Sequence, residues 1–313
     1  MNSLRLSEIF GLSPLRERAR EALRAVRGEP GVLPSRFDHT SLGIFMPALS
    51  VRTWLGQRRA DRRVPIYNLV NRTPTPVSEG WSVRKTQVRD FRGGSLTYDS
   101  HNGTDFILPI GTIVVAAAPG KVLRISRELD RGGLKIFIDH GGGLVTTSNH
   151  LGRSLVEVGQ VVRRAEPIAL SAYSGLDAIT AFPWSAPHVH FNVWLDGETA
   201  DPFAAPGETS LWREGNDPRP ARPDEDEIYT PTAWDEAGVE AGIEACQHAP
   251  VREELRQEPA LDRRAMNLIF HRNYYPLRFR SAPRVIQGEV SRVSAPRLTL
   301  PVRAEDFDGL AIE

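Results

Sequence analysis

Five of the eight histidines in this 313-residue chain lie between positions 101 and 190: His101, His140, His150, His188 and His190. Imidazole is the usual zinc ligand and the usual acid or base near neutral pH, so chemistry is to be sought in this stretch. In "SAPHVHFNVW", His188 and His190 bracket one valine, and Phe191, Val193 and Leu195 carry the alternation onward. Side chains alternate along a strand, so both imidazoles share a face, with Cα atoms about 6–7 Å apart. They can ligate one metal together, or one can ligate while the other meets a metal-bound water. Two polar residues on a solvent-facing strand would look the same.

In "HNGTD", His101 and Asp105 stand four apart around Gly103. The surrounding "YDSHNGTDFILP" is not helical. It reads as a turn entering a strand, and Gly103 lets the chain fold so that both side chains converge. "TTSNHLG" places His150 at a strand end before a glycine turn. Two histidines and one aspartate make a three-ligand set of the kind that leaves a fourth position for water.

These motifs need a β framework. Between about 98 and 203, Val, Ile, Thr and Phe runs recur between glycine turns, as in "TIVVAAAPGKVLRI", "LKIFIDHGGGLVTTSNH" and "VEVGQVVRRAEPIAL". The pattern predicts a mainly β, compact antiparallel sheet or barrel-sandwich-like core, with helical and irregular N- and C-terminal regions (α+β overall). We divide the chain into an N-terminal region 1–80, a β-rich domain 81–210 that holds the histidine motifs, a linker or surface loop 211–231 and a C-terminal helical and irregular region 232–313.

In the N-terminal region, "SPLRERAREALRAVR" predicts a helix over 13–27, capped by Ser13, with Pro14 at its first position. Leu15, Ala19, Leu23 and Val26 fall on one face. Residues 31–80, including "VPIYNLV", and residues 81–96 read as strand. The Pro- and acid-rich "EGNDPRPARPDEDEIYTPT" reads as the linker, and 232–272 as helix interrupted by Gly238, Gly242 and Pro259.

In order, H-x-G-x-D, a glycine-punctuated hairpin, N-H-L, V-x-x-G-Q-V-V, P-H-V-H-F and D-P resemble the lysostaphin-type (LytM-type) zinc endopeptidases of bacterial cell walls. Residues 98–203 carry the likeness, about a third of the chain. The resemblance implies that His101, Asp105 and His190 hold one Zn2+ per chain. It implies that His188 and His150 act as general base and transition-state stabiliser. It also implies a peptide or peptidoglycan substrate, cleaved in cross-bridges or stem peptides.

The sequence departs from the family in places. Ser148 stands where many members have Tyr, Ala186 where many have Gly, Val189 for Leu and Asn192 where Glu is frequent. The segment "AYSGLDAITAFPWSAP" is longer than the usual Gly-rich loop. It borders the cleft, so Phe182 and Trp184, with Ser148 and Asn192, are candidates for the substrate groove. The alternative for the two aromatics is that they pack the insertion against the barrel.

Lys plus Arg and Asp plus Glu are each 39, so there is no electrostatic case for nucleic acid or acidic membranes. "LGQRRADRR" reads as a solvated loop. The single cysteine, Cys246, excludes a disulfide framework and reads as a bland buried thiol. No stretch reaches membrane-span length. "MNSLRLSEIFGLSPLRERAREAL" does not read as a secretory signal, which points to a cytoplasmic protein or one exported by a signal-independent route. Two other readings remain at this stage: a catalytically inactive binding or regulatory module, and an intracellular metallopeptidase with a non-peptidoglycan substrate. Lys121 after a Pro-Gly turn also resembles a carrier-type hairpin, but the flanking Met is absent.

Overall fold

The computed structural model describes residues 3–222, 227–280 and 297–312. In chain order, the N-terminal region holds α1 (Leu6–Ile9), α2 (Leu15–Arg27), α3 (Pro47–Trp54) and β1 (Arg63–Pro65). The central region holds β2 (Thr104–Ile107), β3 (Ile113–Val115), β4 (Gly120–Ser126), β5 (Leu134–Asp139), β6 (Leu144–Ser154), β7 (Val161–Val162), β8 (Pro167–Ser171), α4 (Leu176–Ala181), β9 (His188–Leu195) and β10 (Glu198–Ala200). Three helices follow, α5 (Glu236–Glu244), α6 (Ala249–Gln257) and α7 (Leu261–Tyr274), and the chain ends on β11 (Gly309–Ala311).

The central strands form one antiparallel sheet, as their alternating β-branched residues and glycine turns require. Its path runs β10–β9–β6–β5–β4–β7; β2 also pairs with β9, and β8 joins β3 to the far half of β6. One sheet face, with Phe106, Val189, Phe191 and Val193, packs on Ile66, Leu69, Trp212, Leu298 and Leu300. The other, with Leu123, Phe137, Val145 and Trp194, is covered by α5–α7. Gly238 and Gly242 sit inside α5 and do not break it. A Cβ at Gly242 would stand 2.5 Å from Leu268 Cδ2, so that glycine sets how closely α5 meets α7. Cys246 is fully buried in this layer. Among the described residues no helix is long and apolar enough to cross a membrane.

Several sequence expectations are corrected. Residues 31–80 are not chiefly strand: a 3-10 turn (His39–Ile44) and α3 occupy them, and β1 has only three residues. Residues 81–96 form no strand, only the Arg36–Ser82 bridge. Here Asp90 and Asp99 draw the backbone N–H groups of Arg92, Gly94 and Thr86 into loops instead of a ladder.

Helix α2 begins at Leu15 with Pro14 in the capping position, so Ser13 does not cap it. Its apolar stripe faces outward: Leu15 and Val26 are 70% and 64% exposed. The helix docks through charge instead, by Arg24 on Asp130 at 2.6 Å and by Arg18 on the Arg127 carbonyl. The segment 172–187, read as a long loop, contains α4.

The segment 211–231 is not a free linker, although residues 223–226 lie outside the described ones. Trp212 is fully buried against Phe106, Phe191 and Phe203, and the Tyr229 hydroxyl donates to Asp139 Oδ2 at 2.7 Å. In the C-terminal region, 281–296 also lie outside the described residues. The "LGQRRADRR" arginines are held to acids, among them Arg58 to Asp306 at 2.7 Å.

Replacing Trp212 with Ala should therefore cost about 3–5 kcal/mol in urea denaturation, the cost of emptying a core aromatic site. A loss under about 0.5 kcal/mol, typical of surface positions, would restore the linker reading.

Candidate metal centre

The two motif histidines and Asp105 meet through strand register. In the antiparallel pair of β2 and β9, Asp105 stands opposite His190 and Ile107 opposite His188. Phe106, Val189 and Phe191, on the alternate face, enter the core, so burying them turns Asp105, His188 and His190 to the other side. His101 arrives on the turn before β2. A Cβ on Gly103 would stand 2.7 Å from His190 Nε2 and 2.8 Å from the Phe191 carbonyl, so only glycine lets this turn lie against β9.

Three ligand atoms converge. His101 Nε2 lies 3.0 Å from Asp105 Oδ2 and 3.1 Å from His190 Nδ1, and His190 Nδ1 lies 2.7 Å from Asp105 Oδ1. Among the described residues these three form the group able to hold a metal ion. The far side of each ligand is already engaged. His101 Nδ1–H donates to the Leu69 carbonyl at 2.7 Å, and Asn68 Nδ2 donates to Asp105 Oδ2 at 2.8 Å. His190 Nε2 faces Asn102 Oδ1 at 3.2 Å. Each remaining lone pair therefore points at a common place. This donor set, two imidazoles and a carboxylate whose ligand atoms lie within 4.8 Å of one another, fits a divalent ion of the zinc type, which takes nitrogen and oxygen ligands at about 2.0–2.2 Å. Asp105 is buried, which alone would raise its carboxyl. The facing His101 and His188 outweigh that and hold it well below the usual range. Burial pushes His190 down to about 4.

His188 and His150 flank the cluster. His188 Nδ1–H donates to the Ala186 carbonyl at 2.8 Å, which leaves the Nε2 lone pair facing the site, 3.6 Å from Asp105. Burial, opposed by that carboxylate, pushes His188 down to about 3, so it is a neutral base at ordinary pH. His150 is not at a strand end, as the sequence suggested, but inside β6 on a bulge: Leu134 pairs with Leu151 and Ile136 with Ser148, leaving one extra residue. Its φ of 60° is left-handed, a conformation costing a β-carbon-bearing residue on the order of 1–2 kcal/mol, and it turns the ring into the site. His150 Nδ1–H donates to the Ser174 carbonyl at 2.8 Å, and the ring lies edge-on to His188 at 4.8 Å.

Two cavities with shared lining residues open on this centre. A small one of mixed lining, about 70 Å³, is bounded by Asn102, Asp130, Arg131 and His190 on one hand and Leu129 and Tyr274 on the other. A larger apolar one, about 420 Å³, is lined by Phe37, Leu42, Phe45, Tyr67, Tyr173 and His188. Tyr98, His150 and Asp177 line both.

The expected groove residues are corrected. Ser148 and Asn192 are buried and line neither cavity. Asn192 Nδ2 donates to Asn102 O at 2.9 Å, so it braces the residue behind His190 instead. Phe182 and Trp184 are half exposed; Phe182 packs on Phe10 and Trp54 of the N-terminal region, not on the barrel. His140 is buried away from the centre, on Pro119 O and Thr146 Oγ1. Sequence reading missed Asn68, Asn102, Tyr98 and Asp177. A usable signal existed for Asn68, a lone polar residue inside the apolar run "VPIYNLV".

Residues 99–202 match Peptidase family M23. The chain carries an M23 domain. The M23 region is similar to a metalloprotease of Haemophilus influenzae, 33% identical over 112 residues, which are 35% of this chain and 22% of that protein. It is also similar to the peptidoglycan DD-endopeptidase ShyB of Vibrio cholerae, 35% identical over 105 residues, 34% of this chain and 23% of that protein. The chain thus spans less than a quarter of the length of these curated relatives. Among solved structures, a zinc-containing peptidase from Vibrio cholerae is 28% identical, with 46% of this chain and 39% of that chain covered at a TM-score of 0.33. That overlay is local and says nothing about the whole chain. Asn68 and Leu69, which brace two ligands, lie outside the M23 match.

Asn68→Ala should lower metal affinity about 10–100-fold, the usual cost of losing a bond behind a metal ligand. Competition with a chromophoric chelator measures it. Unchanged affinity would contradict the bracing role of this segment.

Proposed function

We propose that the protein is a zinc-dependent endopeptidase that hydrolyses peptide bonds in peptidoglycan cross-bridges or stem peptides. The observation that carries this is the pairing of a three-lone-pair centre with a neutral, tautomer-locked imidazole beside it. The sequence likeness of the M23 region to peptidoglycan DD-endopeptidases supports the substrate class.

His101, Asp105 and His190 would hold the ion, which supplies a polarised carbonyl and a water acidic enough to lose its proton near neutrality. His188 receives that proton at Nε2, because Nδ1–H is tied to the Ala186 carbonyl and cannot serve. The same Nε2 then delivers it to the departing amine, which leaves His188 neutral again. His150, held by the Ser174 carbonyl, presents Nε2 to the other side of the centre, facing the oxygen that gains charge. The peptide lies along the two cavities, with the bond to be cut at their junction.

The test is hydrolysis of purified peptidoglycan and of a glycine-rich peptide by the zinc-loaded protein. His188→Ala should keep its metal and lose about 10²–10⁴-fold in rate, the range for removing a general base. Full activity in that variant, or activity in wild type stripped of metal, would contradict the mechanism.

A further inference from the structure

The acids that line the cleft differ in what neutralises them. Asp105 belongs to the ligand set, and Asn68 holds its second oxygen. Asp130 is paired with Arg24 at 2.6 Å and with Arg131 at 3.7 Å. Asp38 caps its own turn through Thr40 and stands 4.0 Å from Arg84. Asp177 alone lines both cavities without such a partner: among the described residues no Lys or Arg nitrogen lies within 4.0 Å of it, and it reaches only His150 Nε2, at 4.0 Å. Its side chain keeps 58% of its surface open. The one arginine lining the smaller cavity, Arg131, is committed to Asp130 and to the Tyr274 carbonyl. A carboxylate with no Lys or Arg nitrogen within 4.0 Å among the described residues therefore lines both cavities beside the imidazole that borders the reacting bond, and burial together with the nearby Asp105 raises its carboxyl, so a cationic partner is what it lacks.

We infer that Asp177 reads a primary ammonium group on the substrate next to the bond that is cut. This rests on the peptidase reading above and narrows its substrate class. An open carboxylate within reach of the reacting groups attracts a cation, and the low-dielectric walls of a cleft strengthen the attraction. The smaller cavity, about 70 Å³, favours a compact ammonium over the wide, planar guanidinium of an arginine side chain. Asp177 sits in the first turn of α4, the short helix within the segment 172–187. The ammonium can come from a lysine-like side chain or from a free peptide N-terminus; the chemistry is the same for both.

The experiment uses one lysine-containing stem-type pentapeptide with the side-chain amine free or acetylated, and with the α-amine free or acetylated. Binding is measured by calorimetry on the zinc-loaded protein carrying His188→Ala, with Asp177 or with Asp177→Asn, and cleavage on the corresponding His188-bearing proteins. Acetylating one of the two amines should weaken binding about tenfold with Asp177 in place, and less than about twofold with Asp177→Asn. The amine whose acetylation matters identifies the source. Equal losses with Asp and Asn overturn the inference, as does failure of the free-amine peptide to bind. An equal slowing of all four peptides by Asp177→Asn, with binding unchanged, also overturns it and assigns Asp177 to His150. If the peptidase reading fails, the His188-bearing protein cleaves nothing, while the binding comparison still decides the role of Asp177.

Discussion

Two imidazole nitrogens 3.1 Å apart, each against one oxygen of the same buried carboxylate, repel each other unless a proton or a metal cation stands between them. Everything around His101, Asp105 and His190 is arranged so that they cannot turn away. The Leu69 carbonyl takes the only N–H of the neutral His101 ring, Asn68 occupies Asp105 and Asn102 faces the far nitrogen of His190. Such fixing is costly without a metal and useful with one, because a site already in shape loses little entropy on binding.

Holding that geometry takes more than the M23 region. The pairing of β2 and β9 aligns Asp105 with His190, but the straps behind it come from residues 66–71, before the matched region begins. Asn71 N–H donates to the His101 carbonyl at 2.8 Å, and Tyr67 N–H to the Asp105 carbonyl at 2.9 Å. Residues 212–220 and 298–310 then close the same core layer. The flanking regions and the sheet thus share one interior. Part of the wall of the larger cavity is built by the N-terminal region, through Phe37, Leu42 and Phe45.

The ligands were legible in the sequence because a period of two and a glycine turn are local rules: H-x-H puts two imidazoles on one strand face, and only glycine fits between His101 and Asp105. The β core was legible for the same reason. What was hidden depends on distant partners. Helix α2 turns its apolar stripe outward because Arg24 and Arg18 find Asp130 and the Arg127 carbonyl, a choice no window of its own sequence contains. Trp212 lies in a Pro- and acid-rich stretch that reads as linker, yet three core aromatics wait for it. Asn192 reads as a groove residue and proves to be a brace, since a residue's neighbour across a strand cannot be read from its own spacing. His150 was found by type but misplaced, because a bulge is a mismatch between two strands and not a property of one.

The most direct test of the centre is X-ray absorption spectroscopy on the zinc-loaded protein. The account predicts one zinc per chain with two imidazole nitrogens, one carboxylate oxygen and a further light donor at about 2.0–2.2 Å, and loss of one imidazole in His190→Ala. A shell holding three or more imidazoles, or no stoichiometric zinc, would contradict it, because His188 or His150 would then be a ligand or the converging lone pairs would serve some other end.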